Sequence, residues 1–482
     1  MDNQEFRRSA HELVDWMARY LENIESYPVR SQARPGEISA RLPEVPPVEG
    51  EPVDRIMRDF EDVVLPGITH WQHPSFFAYF PANSSPPSVL AEMLTATLAA
   101  QCMSWQTSPA ATELETRVMD WLRRMIGLPE GFAGVIQDTA SSATLAAILS
   151  ARERATGWRS NESGLSDQPA MTVYASSEAH SSIDKAVRIA GLGQAGLRKV
   201  AVDETFALTP ELLAQAVEAD LSEGRRPICV VATVGTTGAS GFDPLGPIGE
   251  ICAKHGIWLH VDAAWAGSAL VLPETRWMIE GIERADSFVF NPHKWLFTNF
   301  DCSAHYVRDP DALTRTFAVQ PEYLRTAADD VVINYRDWGV PLGRRFRALK
   351  LWFVIRAYGV DGLRERIAAH IHLAREAARK IETWEDFELL APARLALFCF
   401  RYRPRGVDDP AQLDRLNEQL LERLNESGAL YLTHARVNGA VALRFSVGQR
   451  TTEARHVEAA LARIRETAAT LRSESPGRND SV

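Results

Sequence analysis

GVIQ (134–137), MTVYAS (171–176), LRKVAV (197–202), ICVVATV (228–234), IWLHVD (257–262), SFVFN (287–291) and CSAHYV (302–307) are short apolar runs at near-regular intervals. Between them lie helical stretches such as SSATLAAILSARERA (141–155) and PELLAQAVEADLSEG (210–224). Strand and helix patterns that alternate in this way predict an α/β fold, a mainly parallel central sheet flanked by helices. In such sheets ligands bind beyond the carboxyl ends of the strands. Chemistry is therefore sought in the residues that follow each apolar run.

Outward from this block the pattern changes. Leu13, Val14, Met17, Leu21 and Ile24 recur at three- and four-residue spacing and predict an amphipathic helix over 6–24. Pro28, Pro35, Pro43, Pro46, Pro47 and Pro52 then predict an extended arm. The apolar face of that helix needs a cover, either another subunit or the chain itself. Beyond about residue 380, FELLAPARLALFCFRYR (387–403), ALYLTHARVNGAVALRFSV (429–447) and a helix over 453–471 predict a small α+β domain. The expected division is a helical segment at 1–80, a large domain at 81–380, a small domain at 381–472 and a disordered tail at 473–482.

Composition bounds the function. The 482 residues carry 45% apolar and 24% charged side chains, enough core for two or three domains of about 100–200 residues. A net charge of −11 argues against nucleic acid as a partner. No apolar run reaches the ~18 residues that cross a bilayer, and the N-terminus lacks a signal-peptide pattern, so no membrane association is expected. Five scattered cysteines without a C-x-x-C pair indicate neither disulfides nor a metal site, and point to a reducing cytoplasm. GLGQAG (191–196) matches G-x-G-x-x-G, but a helix precedes it and a strand follows, the reverse of a dinucleotide fingerprint.

Thr236 and Thr237, Asp262, His180, and Asn291, His293 and Lys294 all follow strand patterns, on one edge of the sheet. A lysine, a carboxylate and a helix start at 139–142 are what pyridoxal 5′-phosphate requires: a Schiff-base amine, a partner for the ring nitrogen and N–H groups for the phosphate. Only six of the 52 basic residues are lysines, and Lys294 alone directly follows an apolar strand. Taken singly each position has an ordinary reading, a strand-end ion pair for Lys294 and helix caps for Asp262 and 139–142. One cofactor accounts for all of them together.

SFVFNPHKWLFTNFDCSAHYV (287–307), IWLHVDAAWAGSA (257–269), YASSEAHSS (174–182), FFAYFPANSS (76–85), SPAATELE (108–115) and VPLGRRFRALKLWFVIRAYGV (340–360) resemble the group II pyridoxal-phosphate decarboxylases, specifically the aromatic-L-amino-acid decarboxylases. The resemblance covers nearly the whole chain. It implies a fold-type-I homodimer clasped by the N-terminal segment, and decarboxylation of an aromatic L-amino acid to its amine through a Schiff base and a quinonoid carbanion.

Position by position, the resemblance makes Lys294 the Schiff-base lysine, Asp262 the partner of the pyridine nitrogen and His180 the residue stacked on the ring. Ala140 and Ser141 become phosphate contacts, with Asn291 and His293 beside them, and Thr237 and Ala264 line the cofactor. Tyr323, in QPEYLRTAADD (320–330), matches a loop tyrosine that protonates the carbanion. Trp71, Tyr79, Phe80, Ala82, Gln101, Met103 and Gly343 map to the substrate pocket. Ala82 stands where relatives often carry threonine, and Gln101 and Met103 replace more apolar residues, so the choice among tryptophan, DOPA, tyrosine and phenylalanine stays open. The alternatives are other pyridoxal-phosphate chemistry on the same fold, such as aldehyde synthesis or acidic amino-acid decarboxylation, and a non-catalytic cofactor-binding protein.

Overall fold

A computed structural model describes residues 1–319 and 331–474. They divide into two compact units: Met1–Pro81 with Leu373–Leu390 and the chain from Cys399, and Ala82–His372 with Ala391–Phe398.

The larger unit is built on a seven-stranded sheet. Its strands are β1 (Ala133–Gln137), β2 (Met171–Ser176), β3 (Leu197–Val200), β4 (Arg226–Thr233), β5 (Trp258–Asp262), β6 (Ser287–Phe290) and β7 (Ser303–Val307), in the order β1-β7-β6-β5-β4-β2-β3. The neighbours from β6 through β3 pair in parallel, while β7 runs antiparallel between β1 and β6. Every residue of β2, β5 and β6 is buried, which a parallel sheet with helices on both faces requires. The seven runs read from the sequence are these seven strands, and the ends move by a residue or two. GLGQAG lies between the Ser182–Ile189 helix and β3, with Gln194–Gly196 as a single 3₁₀ turn.

The register determines what can meet at the carboxyl edge. Thr233 of β4 pairs with Asp262 of β5, and Asp262 pairs with Val289 of β6. The ends of β4 and β5 are therefore level, β6 runs one residue further, and the segments that leave them start from nearly one line.

The smaller unit carries β8 (Phe387–Leu389), β9 (Leu397–Tyr402), β10 (Thr433–Val437) and β11 (Ala440–Ser446), an antiparallel sheet in the order β10-β11-β9-β8. β9 begins in the larger unit and ends in this one. The N-terminal segment, expected as a separate piece, packs within this unit. Val29 N–H donates to Gly428 O at 2.8 Å, Phe76 bridges Tyr431, and the rings of Phe77 and Phe445 stack at 4.2 Å. The first helix, Asn3–Glu22, starts earlier than its apolar spacing suggested, because the Asp2 side chain accepts the N–H groups of Gln4 and Glu5 and caps it. Among the described residues no helix is long and apolar enough to cross a membrane.

Candidate active site

A cleft of about 200 Å³ opens at the carboxyl edge of the large sheet. All nine residues expected around a cofactor line it: Ala140, Ser141, His180, Thr237, Asp262, Ala264, Asn291, His293 and Lys294. Thr139, Ser182, Thr233, Gly235 and Trp265 complete the wall.

Each side of the cleft has a local cause. The Ala140–Ala155 helix begins directly after β1, and Thr139 caps it by accepting the Ser142 N–H on Oγ1 at 3.3 Å. Ala140 and Ser141 occupy its first two positions, whose N–H groups have no acceptor within the helix and sit at its positive end. That arrangement suits an anionic oxygen group.

On the opposite wall, Asp262 ends β5 at 4% exposure. Its Oδ1 accepts the Ala264 N–H at 3.0 Å, and among the described residues it has no ion-pair partner. Burial raises its carboxyl above the usual aspartate range; the Ala264 N–H, His180 and Lys294 pull the other way. A buried carboxylate in this condition calls for a cation or an N–H donor in the cleft. Asn291 is also buried, and its Oδ1 has no hydrogen-bond partner among the described residues.

Lys294 lies in the single helical turn Pro292–Trp295 that follows β6, half-buried. The turn is fixed from three directions. Lys294 N–H donates to Asn291 O at 2.9 Å, Asn83 Nδ2 donates to Lys294 O at 2.5 Å, and Trp295 Nε1 donates to His370 Nδ1 at 2.9 Å. His293 Nδ1 accepts the Cys302 N–H at 3.0 Å, and burial pushes its imidazole down to about 3. It is a neutral structural ring.

His180 stands exposed at the mouth of the cleft. Its Nδ1 accepts the Ser182 N–H at 3.1 Å, which places the proton of the neutral ring on Nε2. Desolvation lowers its pKa first, Lys294 lowers it further, and Asp262 opposes them.

The expected substrate residues are distributed differently. Gln101, Met103, Ala82 and Gly343 belong to the large unit but do not line the cleft. Gln101 and Gly343 are neighbours, since Gln101 Oε1 accepts the Arg344 N–H at 2.6 Å. Trp71, Tyr79 and Phe80 belong to the other unit, where Trp71 and Tyr79 stack at 5.6 Å and Phe80 packs against Gly448. Tyr323 lies outside the described residues. Thr236 is buried behind the cleft, and its Oγ1 accepts the Gly241 N–H at 2.7 Å.

Trp265 was not among the residues the sequence singled out. Its Nε1 donates to Gly235 O at 2.7 Å and joins two walls of the cleft. The tryptophan inside the small-residue run AAWAG was the available signal.

A helix start for a phosphate, a buried carboxylate for a ring nitrogen and a lysine between them fit pyridoxal phosphate. Among the described residues no group of three or more His, Cys, Asp or Glu side chains is placed to hold a metal ion. Residues 35–403 match the family model of the pyridoxal-dependent decarboxylase conserved domain. The chain is 42% identical to tyrosine decarboxylase 1 of Narcissus pseudonarcissus, over 98% of this chain and 94% of that protein. It is 43% identical to phenylacetaldehyde synthase of Arabidopsis thaliana, over 98% and 97%. The crystal structure of Oryza sativa TDC with PLP and tryptamine superposes with a TM-score of 0.95 at 38% identity, covering 98% of this chain and 99% of that one. The architecture is that of the fold-type-I pyridoxal-phosphate enzymes, and the chain belongs to the pyridoxal-dependent decarboxylases.

Proposed function

We propose that this enzyme removes the α-carboxylate of an aromatic L-amino acid, giving the aromatic amine and carbon dioxide. The observation that carries the reading is the sharing of one cleft by Lys294, by Asp262 without an ion pair among the described residues, and by Ala140 and Ser141 at the start of the Ala140–Ala155 helix. Bound pyridoxal 5′-phosphate supplies a conjugated ring that accepts the electron pair left by departing carbon dioxide.

The chain's own residues do the rest. Ala140 and Ser141 N–H groups would bind the phosphate, with Asn291 and His293 beside them, and Thr237 and Ala264 would line the cofactor. Asp262 would hold a proton on the ring nitrogen, since a buried carboxylate stabilises a neighbouring cation. Lys294 would supply the amine that holds the cofactor. His180, with Nδ1 tied to Ser182, presents its ring face over the mouth. Tyr323 returns a proton to Cα. Of the residues that the resemblance gives to the substrate, Gln101 and Gly343 adjoin one another in the large unit and would act on the substrate side chain rather than on the cofactor.

The working form proposed is a cytoplasmic homodimer. The Asn3–Glu22 helix fully buries none of its side chains and leaves Phe6, Leu13 and Val14 exposed, and the five cysteines are buried and free. Relatives that make phenylacetaldehyde favour a second reading, oxidative aldehyde formation. His180 and Tyr323 favour the amine.

The test is product analysis with tryptophan, DOPA, tyrosine, phenylalanine and glutamate. Amine and carbon dioxide in equal amounts from an aromatic substrate are expected, with visible cofactor absorbance and turnover both lost in Lys294→Ala. Aldehyde with peroxide as the main product, or turnover of glutamate alone, overturns the proposal.

A further inference from the structure

The cofactor cleft shares a wall with a second cavity. Thr233, Gly235 and Thr237 line the cleft, while Phe242 and Asp243, at the other end of the same 233–243 loop, line a cavity of about 350 Å³. That volume falls within the range of small-molecule sites, about 300–1,000 Å³. The loop is braced across its width. Val234 bridges Phe242, the N–H groups of Gly235 and Thr236 both donate to Gly241 O at 3.0 and 2.9 Å, and Asp243 exchanges hydrogen bonds with Thr233. A segment tied at both ends and across the middle transmits a push at one end to the other.

The lining has a definite chemical preference. The rings of Phe242 and Trp277 lie 5.3 Å apart at 59°, Trp277 is 57% exposed, and Pro247 and Met278 extend the apolar wall. Asp243 and Glu280 supply two carboxylates, and none of the lining side chains is basic. Arg394 lies over the Phe242 ring at 5.6 Å, and the start of the Leu245–His255 helix adds about half a positive charge; once Asp243 is ionised, above about pH 7, the two carboxylates outweigh them. Aromatic faces and carboxylates both select an ammonium group. An amino acid would bring its own carboxylate against Glu280 and Asp243, whereas the corresponding amine would not.

We infer that this cavity binds an arylalkylammonium ion, the product class of the reaction proposed above, and that its occupancy acts on the cofactor cleft through the 233–243 loop. Naming the ligand as product rests on that reaction. The selection of an aromatic cation rests on the cavity alone.

The test is calorimetric titration of the holoenzyme at pH 8, where Asp243 is ionised, with phenethylamine, beside phenylacetate, which has the same ring and the opposite charge. Two binding events per chain are expected with phenethylamine, the second absent with phenylacetate. Trp277→Ala should weaken that second event about tenfold and Glu280→Gln about threefold, with uninhibited turnover unchanged in both. Inhibition by phenethylamine should persist at saturating amino acid in the wild type and vanish there in Trp277→Ala. A single event, equal binding of phenylacetate, a second event untouched by both substitutions, or inhibition wholly relieved by substrate overturns the inference. If aromatic amino acids release no carbon dioxide while the second event keeps its dependence on Trp277 and Glu280, the reaction proposal fails and the cation site stands.

Discussion

Replacing Asp243 by asparagine tests the joint between the two cavities. The carboxyl group is 2% exposed, with Oδ1 accepting the Leu208 N–H and Oδ2 accepting the Thr233 N–H, both at 2.7 Å. Burial pushes it up to about 7 from the ordinary 3.8; the two N–H groups oppose the rise. The folded protein thus retains a proton that the unfolded chain releases near pH 4, so this stabilising contribution is complete below that pH and is lost as pH rises to about 7. At about 1.4 kcal/mol per pH unit the whole interval corresponds to about 4 kcal/mol, of which roughly 2–3 kcal/mol falls between pH 5 and pH 8. Asp243→Asn removes this titration. Its amide accepts only through Oδ1, whereas the hydroxyl oxygen of the neutral acid keeps a lone pair for the second N–H, so one of the two N–H groups loses its acceptor, at about 1–3 kcal/mol at every pH. The variant should therefore be clearly weaker than wild type at pH 5, and the gap should close or invert by pH 8. Urea unfolding of both proteins at both pH values, followed by fluorescence, gives the double difference, in which every other titration cancels. An equal pH dependence in the two proteins would refute the reasoning.

Three other outcomes follow from the same geometry. Arg344 Nη2 lies 2.6 Å from Glu115 Oε1 with the side chains 5% and 3% exposed, so Arg344→Met should cost about 3–5 kcal/mol, partly recovered in the Glu115→Gln/Arg344→Met double variant; a urea-midpoint loss below about 1 kcal/mol contradicts a buried pair. His293, held at about 3 with Nδ1 occupied by the Cys302 N–H, should remain the Nε2-protonated tautomer from pH 5 to 9, and a His293 nitrogen resonance titrating near 6.5 would exclude this. Asn83→Ala removes the donor to Lys294 O, and is expected to lower kcat about tenfold with cofactor content unchanged; loss of the cofactor itself would show that Asn83 supports binding rather than the position of Lys294.

The strands were legible because a parallel sheet buries both faces, which leaves unbroken apolar runs such as MTVYAS and IWLHVD. The polar residues at their ends were legible for the same reason, since a charged residue directly after a buried strand needs a purpose. Trp265 and Gly235 were not legible, because their link spans 30 residues and depends on how two loops close over the sheet. Ser182 enters the cleft through its hold on His180, a contact that strand and helix periodicity does not encode. Gln101, Met103 and Gly343 came from the resemblance alone, and no strand end places them. Grouping the N-terminal arm with the C-terminal sheet required pairings such as Val29 with Gly428, about 400 residues apart along the chain.

The scarcity of lysine narrows the candidates for the proposed Schiff-base amine, and the register of the sheet separates them further. Lys199 is paired with Asp184 at 3.0 Å and Lys254 with Glu218 at 2.9 Å; Lys185 and Lys380 are exposed helical residues. Lys350 is fully buried, 2.7 Å from Glu92, and so would have passed a test based on burial alone. Lys294 differs by its neighbours. Asp262 pairs with Val289, and five residues beyond that point the chain reaches Lys294, so a carboxylate and an amine 32 residues apart arrive on one edge. Side chains alternate faces along a strand, so a slip of one residue between β5 and β6 would turn Phe288 and Phe290 to the opposite buried face, against packing that does not fit them, as well as misalign Asp262. The apolar packing that holds β5 and β6 in register is therefore the same constraint that assembles the site, and it brings Lys294 and Asp262 into one cleft.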